Sequence, residues 1–391
     1  MPEDRPPLHR NVKLLGWASC LNDIASEMIY PLLPQFLITV LGGNRFYLGI
    51  IEGVAESGAS LLKLWSGAWT DRAGRRRGFV IIGYAMAAVA RPLVGLVLVP
   101  WQLFVVRTGD RIGKGIRTSP RDAMIADSTD PDFRGRAFGF HRAMDHLGAA
   151  IGPVLAAVFL WLWPGELRTL FLLTILPGMV VVGLLVMGLR ETTTTDPPKE
   201  RLQLTLKPFD HRFRLYLLAL VVFTLGNSSD AFLLVRASEL GIPTAMLPLL
   251  WVAFHIVKSA GNMLVGGLVD RVGPRLPLVI GWFLYAGVYI GFGFATAAWH
   301  AWTLFLVYGV FYALTEPAEK TLIANLVGPE RKGLAFGWYN FAIGIAALPS
   351  SLIFGGLYDE FGPIAAFGWG AGLALVAAVI LLSVQLPKQV S

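Results

Sequence analysis

The chain has 391 residues, 55% of them apolar and only 15% Asp, Glu, Lys or Arg, with a mean hydropathy of +0.59. A soluble protein carries about 25% charged and about 45–50% apolar residues, so this balance excludes a soluble two-domain enzyme, a disordered chain and a fibrous repeat; a single cysteine, Cys20, excludes a disulfide scaffold. The formal charge of +7 falls in short loops and reads as a topology signal facing anionic lipid, not as a nucleic-acid footprint.

A membrane helix needs about 20 mostly apolar residues. Twelve such stretches are expected, at about 14–41, 46–69, 78–99, 101–121, 137–163 and 168–189, then about 214–239, 244–268, 277–297, 301–324, 334–357 and 363–386. Met1–Lys13 is short and polar, without the apolar core of a cleaved signal, so helix one is expected to direct insertion. Helix one carries Asn22, Asp23, Glu27 and Tyr30, and helix two carries Glu52, Glu56 and Lys63. The stretch from Gly67 through Asp71, Arg72, Gly74 and Arg75 to Arg76 follows. Helix four holds one polar stripe: Arg107, Asp110, Arg111, Lys114, Arg117 and Arg121. Helix five opens on Gly135–Phe140 and holds Gly139, His141, Arg142, Asp145, His146, Gly148, Gly152 and Pro153. The longest polar stretch, Glu191–Arg214, separates spans six and seven.

The second half is plainer. Helix seven carries Asn227, Ser228, Ser229 and Asp230; helix eight carries His255, Lys258 and Asn262. Helix ten carries Tyr312, Thr315, Glu316, Glu319 and Lys320, and helix eleven carries Asn340. After helix eight, Gly266, Asp270, Arg271, Gly273 and Arg275 repeat the spacing of Gly67, Asp71, Arg72, Gly74 and Arg76. Gly333–Trp338 repeats Gly135–Phe140 at nearly the same offset. The chain therefore reads as an internal repeat: a six-helix bundle at 1–190, a linker at 191–213 and a second bundle at 214–391. Lys and Arg crowd one set of loops while the other set has little beyond Arg45 and Arg168, so both termini are expected to be cytoplasmic in a multi-pass cell-membrane protein.

The duplicated motif resembles the signature of the major facilitator superfamily, Gly-x-x-x-Asp-Arg-x-Gly-Arg-Arg/Lys, and the resemblance covers the whole chain. It implies an all-α membrane fold of twelve helices in two parallel six-helix bundles, around a cavity that opens alternately to each side. It assigns a gate role to both motif copies, with Asp71 accepting from arginines against a helix N-terminus. Gly139, Gly148, Gly152 and Pro153 resemble the family's antiporter motif, with Ala156-Ala157 departing from its usual glycine pair. The same glycines also suit close helix packing, and Pro153 suits a bend. Arg107 matches the family's helix-four arginine.

Ionisable residues inside a bilayer cost about 2.5–3.5 kcal/mol on insertion scales, so each marks a pathway or a pair. Asp23 with Glu27 and Glu52 with Glu56 share a helix face in each case. Two acids so placed cannot both ionise cheaply, which suits a proton carrier. Asp23, Glu27, Glu52, Glu56, Arg107 and Asp110 are the expected coupling residues; Asp110 can equally pair within its own helix with Arg107 and Lys114. The expected substrate surface is Asn22, Tyr30, Arg111, Lys114, His141, Arg142, Asp145, His146, Asn227, Asp230, His255, Lys258, Tyr312, Glu316 and Asn340. No phosphate loop, Cys-x-x-Cys or His-Glu-x-x-His is found, so neither an enzyme nor a cofactor is expected. The expectation is a proton-coupled exporter of a small organic compound, monomeric, with small molecule, protons and lipid as partners and no nucleic acid. An importer of a small organic anion is the alternative, and a metal or metal-chelate transporter stands behind it.

Overall fold

The computed structural model describes residues 7–73, 75–129, 134–192, 206–207, 209–327 and 332–384, and these are helical almost throughout. In chain order the long helices are α1 Arg10–Ile29, α2 Arg45–Ala73, α3 Arg77–Leu93, α4 Pro100–Asp127, α5 Arg134–Leu162 and α6 Leu167–Gly188. They continue as α7 His211–Glu239, α8 Leu247–Val272, α9 Arg275–Phe294, α10 Ala298–Leu326, α11 Lys332–Phe361 and α12 Pro363–Leu382. Among the described residues, eight are long and apolar enough to cross a membrane: α3, α5, α6, α7, α8, α9, α11 and α12. The other four, α1, α2, α4 and α10, are the ones that the sequence loads with ionisable residues.

Contacts group the chain into two compact units. Unit 1 comprises 1–30 and 58–201; unit 2 comprises 31–57 and 202–391. The end of the first span and the first half of α2 thus pack with the second unit.

Helix boundaries follow from local chemistry. The His9 imidazole accepts from Asn11 N–H and caps α1. Pro31 and Pro34 remove two backbone donors, and the chain beyond α1 passes through a 3₁₀ turn at Tyr30–Leu32 and a π turn at Phe36–Val40. The Gln102 side chain accepts from the amides of Leu98 and Val99 to cap α4, and His300 Nδ1 accepts from those of Thr296 and Ala297 to cap α10. These two caps are separated by the same interval as Gly135 and Gly333, so the repeat extends to capping geometry. It extends to packing as well. Gly83 of α3 seats against Gly113 and Arg117 of α4, and its repeat partner Gly281 of α9 seats against Phe311 and Thr315 of α10.

The core of unit 1 joins α1, α3, α4, α5 and α6 through Val12, Leu15, Val80, Tyr84, Ile125, Ala137 and Leu185, all essentially inaccessible. Asn11 ties three helix ends together: its amide donates to Ser128 Oγ and Arg190 O, and its Oδ1 accepts from Arg190 N–H. In unit 2, α2 lies along α11 so closely that a Cβ added at Gly49, Gly53 or Gly355 would meet the facing backbone. Asp359 accepts from the amides of Arg45 and Phe46 at the start of α2, at 3.2 and 2.8 Å. Arg45 is clasped by Asp359 and Glu239, and Tyr358 donates to Glu239 at 2.6 Å. Trp101, Trp161 and Trp163 stand exposed where α4 begins and α5 ends, the ends of those helices away from the arginine-rich loops, as aromatic belts do.

Candidate functional site

Unit 1 buries a chain of polar side chains across α1, α3 and α4. It begins at Asp23, whose Oδ1 accepts from Asn22 Nδ2 at 2.9 Å. The carbonyl and Oδ1 of Asn22 both accept from Arg91 Nη1, at 2.6 and 2.9 Å. Arg91 Nε donates to Asp110 Oδ1 at 3.1 Å, and Arg107 Nη1 donates to Asp110 Oδ2 at 3.4 Å. The Arg107 guanidinium stands over the Tyr30 ring, 5.3 Å from its centroid. Asn22, Arg91, Arg107 and Asp110 are each more than nine-tenths buried. Two guanidinium and two carboxylate charges balance along this chain, the arrangement that buried ions require.

The expected pairing of Asp110 with Arg107 is present, and a second partner, Arg91, comes from α3. Arg91 is the residue of this polar chain that the sequence reading passed over. Its signal was available: it is the single charged residue inside the apolar stretch 78–99. Further along α4, Arg117 donates to Gly83 O at 3.3 Å and covers the Tyr84 ring, while its Nε has no hydrogen-bond partner among the described residues. Arg111 Nε is likewise without one, and Lys114 is half-buried.

On α5 the expected glycines meet α1 at the acids. A Cβ at Gly148 would touch the Cys20 backbone and Asp23; one at Gly152 would touch the Ile24 backbone and Glu27. Pro153 lies inside the helix beside them, and Gly139 lies nearer its start. His141 is buried with Nδ1 3.6 Å from Asp145, which also faces the largely exposed Arg142 at 3.8 Å. His146 is exposed. The units divide the five expected coupling acids: Asp23, Glu27 and Asp110 belong to unit 1, and Glu52 and Glu56 to unit 2. Glu52 is buried and Glu56 half-buried on the part of α2 that lines α11.

Unit 2 gathers its polar residues where α7 is interrupted. Residues 227–229 are not helical; Asn, Ser and Ser side chains compete with the backbone for hydrogen bonds, which favours a break here. The released carbonyls are met from neighbouring helices: Tyr285 donates to Gly226 O at 3.0 Å, and Trp369 to Leu225 O at 3.4 Å. Asp230 follows the break and accepts from Tyr308 at 2.7 Å and Tyr312 at 3.2 Å. Lys258 pairs with Glu316 at 2.8 Å, Asn262 donates to the other Glu316 oxygen at 2.8 Å, and the Lys258 ammonium lies 4.2 Å from the centroid of Tyr312. His255 packs edge-on to Trp251 and Phe254 nearby. Asn340 stays outside this group and donates to Phe336 O within α11. Asn227 Oδ1 is buried without a hydrogen-bond partner among the described residues.

Of the two gate motifs, Gly74 lies outside the described residues, while Gly67, Asp71 and Arg72 fall on the backbone of α2 and Gly266 and Asp270 on that of α8, with side chains that are not described. What is described ties helix ends together. The amides of Arg76 and Arg77 donate to Glu191, the buried Arg76 guanidinium pairs with Asp127, and Arg77 donates to Val186 O, while Arg75 is exposed. In the second copy Gly273 has φ +80 and ends α8, Arg271 is exposed, and Arg275 donates to Leu382 O. Among the described residues no group of His, Cys, Asp and Glu could hold a metal ion.

The model of the Major Facilitator Superfamily matches the chain in two overlapping stretches, residues 15–347 and 215–390. The chain belongs to the major facilitator superfamily. An uncharacterised MFS-type transporter of Methanocaldococcus jannaschii is 31% identical over 386 residues, covering 97% of this chain and 96% of that protein. The multidrug resistance protein MdtH of Sodalis glossinidius is 26% identical over 350 residues, covering 85% of this chain and 82% of its own. In fold, the chain is similar to a bacterial homologue of the human lysosomal transporter Spinster in an inward-facing, unoccupied conformation, with a TM-score of 0.72 at 18% identity and coverage of 95% and 94%. This major facilitator protein is thus a multi-pass membrane transporter with the all-α fold that the repeat implied.

Proposed function

We propose that this transporter exports a small organic compound across the cell membrane in exchange for protons, with both termini cytoplasmic. The observation that carries this reading is the buried chain Asp23–Asn22–Arg91–Asp110–Arg107, in which acids and guanidiniums balance. A proton on Asp23 would remove one of the two negative charges and weaken the Asn22 contact. Asn22 also accepts from Arg91, so the change would reach the α3–α4 pair directly. The seating of α5 on α1 at Gly148 and Gly152 would make both helices respond together. The similarity to a multidrug resistance protein supports a small organic compound as the substrate.

A second reading, import of a small organic anion, is favoured by α4, where Arg107, Arg111, Lys114 and Arg117 follow one another at helical spacing. The two separate in proteoliposomes. A thermal-shift screen on purified protein first finds a ligand, since one at about 100 times its dissociation constant adds about 2.7 kcal/mol. With that ligand, an exporter alkalinises or acidifies the lumen in the sense of exchange against protons. Cotransport in the same direction overturns the export reading. Asp71 and Asp270 are proposed as gate acids: with single reporter cysteines introduced along the helices on a Cys20→Ser background, Asp71→Asn should change their accessibility from the two sides, and unchanged accessibility in both Asn variants removes that role.

A further inference from the structure

The polar group that includes Asp230 of the interrupted helix in unit 2 holds one ammonium already, against α10. Lys258 reaches from α8 to α10, where its Nζ contacts Glu316 at 2.8 Å and faces the Tyr312 ring at 4.2 Å. The surrounding walls are aromatic: Phe254 packs on Tyr308 and Tyr312, and Phe311 packs on both tyrosines. Asp230 supplies a second carboxylate, and its contacts are the hydroxyls of Tyr308 and Tyr312, which are neutral. Glu316 pairs directly with Lys258 and feels Lys320 one turn further along α10, whereas among the described residues no ammonium or guanidinium pairs directly with Asp230. The Lys258 and Glu316 side chains keep 21% and 38% of their surface exposed, so the pair is reachable, whereas Phe254 and Tyr308 behind it are closed off.

Each element of this group suits a second cation better than an anion. An ammonium is attracted to the negative face of a tyrosine ring, by about 0.5–2 kcal/mol depending on desolvation. Asp230, held by two neutral hydroxyls, offers a carboxylate that an incoming ammonium can engage directly. The unwound backbone at residues 227–229 lies next to Asp230 and carries Asn227 Oδ1, a buried acceptor without a partner among the described residues. An acceptor with nothing to accept from is matched by an N–H donor, which a protonated amine brings and a carboxylate does not.

We propose that this site binds the ammonium group of a protonated organic amine, which displaces Lys258 from the Tyr312 face and engages Asp230 and Glu316. Lys258 is then a tethered competitor that holds the site in register when no substrate is present. The proposal rests on the export reading only for its biological sense; binding itself is independent of direction and of protons.

The test uses the purified full chain in detergent, with benzylammonium, benzoate and benzyl alcohol as probes of equal shape and different charge. Isothermal titration at pH 7 should show benzylammonium binding more tightly than benzyl alcohol and benzoate. Lys258→Met should raise benzylammonium affinity, by about tenfold if the competing ammonium is worth about 1.4 kcal/mol. Tyr312→Leu should lower it by about three- to tenfold, and Tyr312→Phe, which keeps the ring, should lower it less. Benzoate binding that is lost in Lys258→Met would make Lys258 an anion anchor and overturn the proposal. Equal affinity for all three probes, or a loss of benzylammonium in Lys258→Met, overturns it too. The coupling reading is checked separately by flux: a protein that binds benzylammonium as described yet moves it without protons keeps this site and loses proton exchange.

Discussion

At the scale of single residues, Asp110 and Arg91 set the energetics of unit 1. Removing one member of a buried ion pair leaves the other uncompensated, at a cost of about 3–5 kcal/mol. Asp110→Ala, which takes the shared carboxylate from both Arg91 and Arg107, should therefore lower the thermal midpoint sharply, and the triple variant Arg91→Ala/Arg107→Ala/Asp110→Ala should recover much of the loss. A triple variant as unstable as the single one would mean that packing, not charge, explains the effect. Asp23 stands at the end of the chain rather than in its middle, so Asp23→Asn should keep the fold. It should abolish transport driven by a pH gradient while retaining substrate exchange across equal pH; retained gradient-driven uptake would move coupling to another acid. Most of this was legible in the sequence, because an intramembrane charge announces itself: Asp23, Arg107, Asp110, Asp230, Lys258 and Glu316 all lie in polar clusters. Their partners were not legible. Arg91 is paired by the α3–α4 crossing, and Tyr308 reaches Asp230 across a helix interface, neither of which any spacing within one helix encodes.

Elements are positioned by small residues. The glycines of α5 were read both as an antiporter signature and as packing residues, and the geometry supplies the second directly: Gly148 and Gly152 place α5 against the α1 backbone beside Asp23 and Glu27. Overpacking costs about 1–3 kcal/mol. Gly152→Val should destabilise the protein by that order and reduce transport, and a compensating change cannot come from the Ile24 carbonyl, which is fixed in α1. A neutral Gly152→Val, measured by thermal unfolding, would show that α5 can shift away without consequence. The start of α2 makes a second case. Asp359 accepts two of its first amides, the service that a helix N-cap performs from within the chain. Asp359→Ala should cost about 0.5–2 kcal/mol, and Asp359→Asn, which keeps an acceptor, should cost less by the same measurement. This contact joins residues distant in sequence, so the periodicity of α2 alone could place the helix but not its cap.

On the scale of the whole molecule, the repeat is deeper than the duplicated loop motif. Gly83, Gly113 and Arg117 of α3 and α4 find their counterparts in Gly281, Phe311 and Thr315 of α9 and α10, with the same seating. At the same interval, Arg91 and Asp110 correspond to Tyr289 and Tyr308, whose rings lie 6.4 Å apart. An ion pair in one unit thus stands where two tyrosines stand in the other. The two copies have kept the helix crossing and exchanged the chemistry, which is how a symmetric scaffold comes to hold an electrostatic chain on one side and an aromatic site on the other. Sequence alone gave the repeat through its glycines and arginines, but the exchange of Arg and Asp for two tyrosines leaves no identity to align.

The grouping of residues 31–57 with unit 2 has a topological consequence. The polypeptide passes from one unit to the other after Tyr30, returns after Ser57 and passes again after Arg201. Severing the polar connection near residues 193–205 therefore leaves two strands of covalent continuity uncut. Two fragments produced separately and ending there would not be two self-sufficient domains: the first would carry the Arg45 clasp and the glycine face of α2, while the second would carry Glu239, Asp359 and α11. Co-expressed halves should copurify through a tag on either one, and the second half made alone should be unstable, because it lacks residues 31–57 of unit 2, which the first half carries.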